Sequence, residues 1–112
     1  MGRNERPDRI SLRLSGVDPR VTVALYAIKC RSALYSSTSS ARPMKTMDAA
    51  FEASSLRPAA GTHWLDRLRA ITDAQIRGLF GRLPTACITD DQRRFSADIL
   101  RFNRDRILTE PR

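Results

Sequence analysis

The sequence predicts a mainly α-helical protein, a small helical bundle preceded by an N-terminal region of unsettled pattern. Three observations carry this. Ile71-Thr72-Asp73-Ala74-Gln75 is echoed by Ile88-Thr89-Asp90-Asp91-Gln92. In each copy the Thr hydroxyl can accept the amide of the Gln three residues on, while the Gln side chain reaches back to the Thr amide. Acidic residues follow each Thr (Asp73; Asp90 with Asp91), where negative charge suits the positive end of a helix. Downstream, Ile76, Leu79, Phe80 and Leu83 in one copy, and Phe95, Ile99 and Phe102 in the other, fall at helical spacing.

Along the chain, residues 1–9 are polar and charged and are expected to fray. Ile10-Ser11-Leu12-Arg13-Leu14 alternates apolar and polar, a short strand signal. Ser15 to Pro19 is turn chemistry. Val21 to Cys30 reads as a helix opened by Asp18-Pro19, or as a strand pairing back on 10–14; Pro19 and the Ala and Leu content favour the helix. Residues 36–43, rich in Ser, read as a linker or mobile loop and offer hydroxyls for phosphorylation.

A helix is expected from Pro43 to about Ser54, with Met44, Met47, Phe51 and Leu56 as its apolar stripe. Arg57-Pro58-Ala59-Ala60-Gly61 reads as a break. Three helices follow: Thr62 to Arg69 with Trp64, Leu65 and Leu68; Asp73 to Arg82, closed by Pro84; and Asp90 to Leu108. Ile71 and Ile76 occupy the hydrophobic-staple positions around Thr72. The chain therefore divides into an N-terminal region, 1–61, partly disordered, and a three-helix unit, 62–108.

With 112 residues there is room for one modest core. The formal charge is +8, which draws polyanions: nucleic acid, acidic protein surfaces or anionic membrane. That charge is spread along the chain, +5 over residues 1–60 and +3 over 61–112, with no block of like charges. The longest apolar run, Val21 to Ile28, is too short to span a bilayer, and no signal-peptide cleavage pattern follows it, so a cytoplasmic protein is expected. Cys30 and Cys87 are far apart and read as free thiols.

No constellation for catalysis is legible. His63 is the single histidine, so any nucleophile–base set would have to use it, and no G-x-S-x-G element is present. One His, two distant Cys and scattered carboxylates match no metal-ligand spacing, and no phosphate-cradling Gly-rich loop occurs. The expectation is therefore no catalytic residue, no metal and no cofactor.

The last helix is the best nucleic-acid candidate, through Arg93, Arg94 and Arg104. Arg94, Asp98, Arg101 and Asp105 share one strip, where opposite charges at i,i+3 and i,i+4 suggest a solvent-facing row of weak ion pairs. Arg93 and Arg104 lie off that strip, without such partners, and are read as available to phosphate. Trp64 or Phe102 is the candidate contact for a protein partner or for self-association.

Residues 63–108 resemble the C-terminal segment of HipA-like kinases. The likeness rests on Leu65 and Leu68, Thr72-Asp73, Leu83-Pro84, Thr89-Asp90, Phe95 and Asn103-Arg104-Asp105-Arg106-Ile107-Leu108. The family's ATP-binding lysine, catalytic aspartate and metal-binding motif have no counterpart here, and residues 1–60 do not match. The resemblance implies a helical tail without its enzyme: a packing or protein-interaction module. The alternative is a small basic bacterial or phage regulator that binds DNA through its helical surface.

Overall fold

The computed structural model describes residues 6–109, and these form six helices: α1 (Pro7–Ser15), α2 (Val23–Lys29), α3 (Thr46–Leu56), α4 (Pro58–Arg69), α5 (Asp73–Gly81) and α6 (Asp90–Thr109). The only β pairing among them is an isolated bridge between Arg31 and Lys45. The mainly helical fold is as the sequence predicts. Helix α6, 20 residues and so about 30 Å long, is the central rod on which the others pack.

The two echoed motifs start helices as expected. The Thr72 amide donates to Gln75 Oε1 at 2.9 Å and the Gln75 amide to Thr72 Oγ1 at 3.1 Å. Thr89 and Gln92 repeat both bonds at the same distances. Each cap satisfies amides that the first helical turn leaves without intrahelical partners. Thr72→Ala and Thr89→Ala are each expected to lower stability by about 1 kcal/mol, with Ser at either position retaining most of it, as read by urea denaturation.

The strand expected at 10–14 is instead the body of α1. Alternation over five residues is ambiguous, because Ile10 and Leu14 are also an i,i+4 pair on one helix face. The ends decide it. Pro7 opens the helix, Asp8 sits in its first turn, and Gly16 at φ 68° closes it in the left-handed region. Helix α2 starts later than Asp18-Pro19: Thr22 is its cap, accepting the Leu25 amide at 3.2 Å, while Asp18 holds the preceding turn through the Arg20 amide at 2.9 Å.

Residues 31–45 form a loop pinched at its neck. The Ser32 amide donates to Met44 O and the Met44 amide to Leu34 O, both at 2.7 Å, and Arg31 reaches Pro43 O at 2.7 Å. Ser36, Ser37, Ser39 and Ser40 bond among themselves at its tip. Helix α3 presents Met47 to the interior, while Leu56 at its end stays exposed.

Helix α4 begins at Pro58, four residues before the predicted start at Thr62. The Pro, with φ fixed near the helical value, occupies the first turn, and Ala59 and Ala60 continue it. Only Arg57 separates α3 from α4, so the pair forms a tight corner. Gly61 lies where the two helices approach closely: a Cβ there would sit 3.1 Å from Ser54 Cβ.

The main core joins both halves of the chain. Ile10 of α1, Ala27 of α2 and Phe95 with Ile99 of α6 are buried together, flanked by Leu14, Val23, Tyr26 and Phe102. Tyr26 meets the Phe95 ring edge-on at 5.0 Å, and the Arg13 guanidinium lies over the Tyr26 ring at 5.0 Å. Ser11 donates to Asp91 at 2.6 Å, tying α1 to the first turn of α6. Helix α5 packs elsewhere on α6, contributing buried Ile76 near buried Ala97. No helix among the described residues is long and apolar enough to cross a membrane.

Candidate functional site

The structure separates Arg93, Arg94, Arg104 and Trp64 into two roles. Arg93 and Arg104, read from the sequence as available to phosphate, are engaged inside the fold. Arg93 donates to the carbonyls of Phe80 and Leu83 at the C-terminal end of α5, the second at 2.5 Å. Arg104 donates to Ile71 O at 3.1 Å and to Asp73 Oδ1 at 2.6 Å, at the N-terminal end of the same helix. Their side chains are only 16% and 12% exposed.

The geometry behind this is simple. Residues 93 and 104 are three helical turns apart, on one face of α6 and about 16 Å along its axis. That span matches α5 from Asp73 to Leu83, so two arginines of α6 clamp both ends of an antiparallel α5. The Arg104 guanidinium beside Asp73 holds that carboxyl below its ordinary range, and Asp73 with Asp105 in turn raises the Arg104 pKa. Asp105, placed by the sequence reading opposite Arg101, bonds Arg104 at 2.9 Å. Asp98 pairs with Arg101 as expected, at 3.3 Å.

Arg94 and Trp64 are surface residues. Arg94 is exposed on the rim of the cleft between α5 and α6. Trp64 is 64% exposed on α4, with the Arg67 guanidinium 5.7 Å from its ring centre and His63 edge-on at 5.3 Å. It borders a groove of about 610 Å³ formed by α3, α4 and the end of α6. Leu65, Leu68, Ile71 and Ile107 give that groove an apolar lining. Sequence reasoning found Trp64 but missed the groove, whose far wall, Ile107, lies 43 positions from Trp64 and is placed by tertiary packing alone.

His63 is exposed beside Trp64. Both cysteines are free: Cys87 is exposed, and burial pushes the half-buried Cys30 thiol above its ordinary pKa. No grouping of three or more His, Cys, Asp or Glu among the described residues could hold a metal ion. No protein-family model, curated protein or solved structure matches the chain.

Proposed function

We propose that this chain is a non-catalytic protein-interaction module, comparable with the helical tail of a HipA-like kinase separated from its enzyme. The observation that carries the reading is the exposed Trp64 over the apolar groove of α3, α4 and α6. A large aromatic surface left in water beside an apolar concavity is the composition of an interface anchor, and Trp is enriched among residues that dominate binding energy. The exposed Leu56 at the end of α3 adds to the apolar surface of the α3–α4 pair. An amphipathic helix seated by its apolar face is the form of partner such a groove suits.

The second reading, a small basic regulator that reads DNA through its helical surface, has less support. Arg93 and Arg104 serve α5, and Gln92, at the start of α6, is held in the capping box. Base readout by the first turns of that helix would require these groups to leave their partners.

A photo-crosslinking residue placed at Trp64 tests the interaction reading in cells that produce the protein, with the same residue at exposed Leu79 of α5 as control. The expected result is one discrete adduct from position 64 and none of that mass from 79. Twice the chain mass would identify self-association, and any other mass a distinct partner. No adduct, or the same adducts from both positions, would overturn the proposal. Trp64→Ala should change folding stability by no more than about 0.5 kcal/mol, because so little of the side chain is packed.

A further inference from the structure

The cleft between α5 and α6 has the makings of a second site. Its floor is apolar, formed by buried Ile76 and Ala97 with half-buried Phe80 between them. Its rim is basic: exposed Arg77 on α5 faces Arg94 and Arg101 on α6. Arg94 and Arg101 stand about 10 Å apart along the α6 axis, with Asp98 on the lining between them. At one end, Gly81 leaves open space, since a Cβ there would meet nothing within 4 Å.

Two carboxylates also line the cleft, and both are already answered. Asp98 is paired with Arg101 at 3.3 Å. Asp73 is paired at 2.6 Å with Arg104, a residue that does not line the cleft. Arg93, at the inner end, is spent on the Phe80 and Leu83 carbonyls and lies 3.9 Å from Asp90, so the positive excess over the aromatic and aliphatic floor is that of Arg77 and Arg94. Planar guanidinium forks bind phosphate oxygens in pairs, and a basic groove beside an accessible aromatic face is how unpaired nucleotides are held.

We propose that this cleft binds a nucleotide, its phosphate on Arg77 and Arg94 and its base or sugar against Phe80 and Ile76. The volume, about 280 Å³, is at the lower edge of small-molecule sites and suits one nucleotide unit rather than a dinucleotide cofactor. That unit can be a free mononucleotide or one residue of a single strand. Paired bases in a duplex cannot turn onto the floor. The site is separate from the Trp64 groove, and neither proposal depends on the other.

Fluorescence polarisation with a labelled oligothymidylate of about twelve nucleotides tests this on the full chain at low salt. Adenosine monophosphate, inorganic phosphate and a duplex of equal length serve as competitors. The double variant Arg77→Gln with Arg94→Gln should weaken binding about tenfold or more and flatten the salt dependence by roughly 0.7 for each phosphate that it no longer neutralises. Its circular dichroism and melting should match the parent, as both side chains are exposed. Lys29→Gln with Arg42→Gln removes the same charge outside the cleft and should have little effect.

Competition by adenosine monophosphate would assign the free nucleotide as ligand, and binding of the oligonucleotide alone would assign the strand. Absent binding, equal losses in both double variants, displacement by inorganic phosphate as effective as by the nucleotide, or duplex affinity equal to that of the single strand would each overturn the proposal.

Discussion

Phe95→Ala is expected to cost about 3–5 kcal/mol and to leave the protein largely unfolded at moderate temperature. Phe95 is fully buried and stands among Ile10, Ala27 and Ile99, so its ring is common to α1, α2 and α6. Truncation removes its transfer free energy and opens a cavity that three separate helices would have to move to fill. It also removes the edge-on contact with Tyr26, worth about 0.5–1.5 kcal/mol. A small domain has only about 5–15 kcal/mol of stability in all.

The loss should be uneven. Helices α1 and α2 reach the rest of the chain chiefly through this cluster, whereas α5 is held to α6 by its own contacts and by the two arginine clamps. In Phe95→Leu, which should retain most of the stability, hydrogen exchange is expected to speed up in α1 and α2 before α5. Phe102→Ala, at a half-buried position on the edge of the same cluster, should cost less than Phe95→Ala. Equilibrium urea denaturation measures these costs. A loss below about 1 kcal/mol for Phe95→Ala would mean that this ring does not join the two halves of the chain.

What could be read from the sequence, and what could not, follows from the range of each interaction. The starts of α5 and α6 were legible because a capping box closes within four residues: Thr72 with Gln75, Thr89 with Gln92. The buried stripe of Phe95 and Ile99 was legible because α6 is long enough for its period to show. The start of α4 at Pro58 and the helical state of residues 10–14 were missed where a local signal had two readings. Proline both breaks a helix and begins one, and five alternating residues fit either period.

At the candidate site, Trp64, which the sequence groups with Leu65 and Leu68 as apolar, is exposed, Arg94 is exposed as its place on the ion-pair strip suggests, and Arg93 and Arg104, read as lacking partners along their helix, are engaged with α5. Beyond the local carboxylates Asp90 and Asp105, their partners lie 10 and 13 positions from Arg93 and 31 and 33 from Arg104, and each of those bonds exists only because α5 runs antiparallel to α6. A signal was nonetheless present. Arg93 and Arg104 are eleven residues apart, which places them in nearly the same helical phase as Ala97 and Leu100, on a face that the surrounding apolar residues mark as turned inward. The interval also equals the length of α5 between its Thr72 cap and Leu83. Charged residues in phase with an apolar stripe, spaced by the length of a neighbouring helix, are better read as clamps than as ligand contacts.

The same geometry makes Arg93→Ala the second large expected loss, about 2–3 kcal/mol. Helix α5 ends without the usual left-handed residue, since Gly16 is the only described residue with positive φ. Its cap residue Arg82 stays in the right-handed region, followed by Leu83 and Pro84. Backbone bonds therefore cover the terminal carbonyls only in part: Phe80 O accepts the Leu83 amide at 3.2 Å. The Arg93 guanidinium brings a charged donor to Phe80 O, beside the backbone amides of Arg82 and Leu83, and one to Leu83 O, and its positive charge lies at the negative end of the α5 dipole. Bonds to a charged donor are worth more than neutral ones, and this donor is mostly shielded from water. Arg93→Lys should recover only part of the loss: an ammonium keeps the charge at the helix end but lacks the planar fork needed to reach both carbonyls. Arg93→Ala should therefore melt well below Arg93→Lys, with exchange protection falling first at residues 78–83. Equal melting temperatures for the two variants would show that charge alone, and not the fork, holds the end of α5.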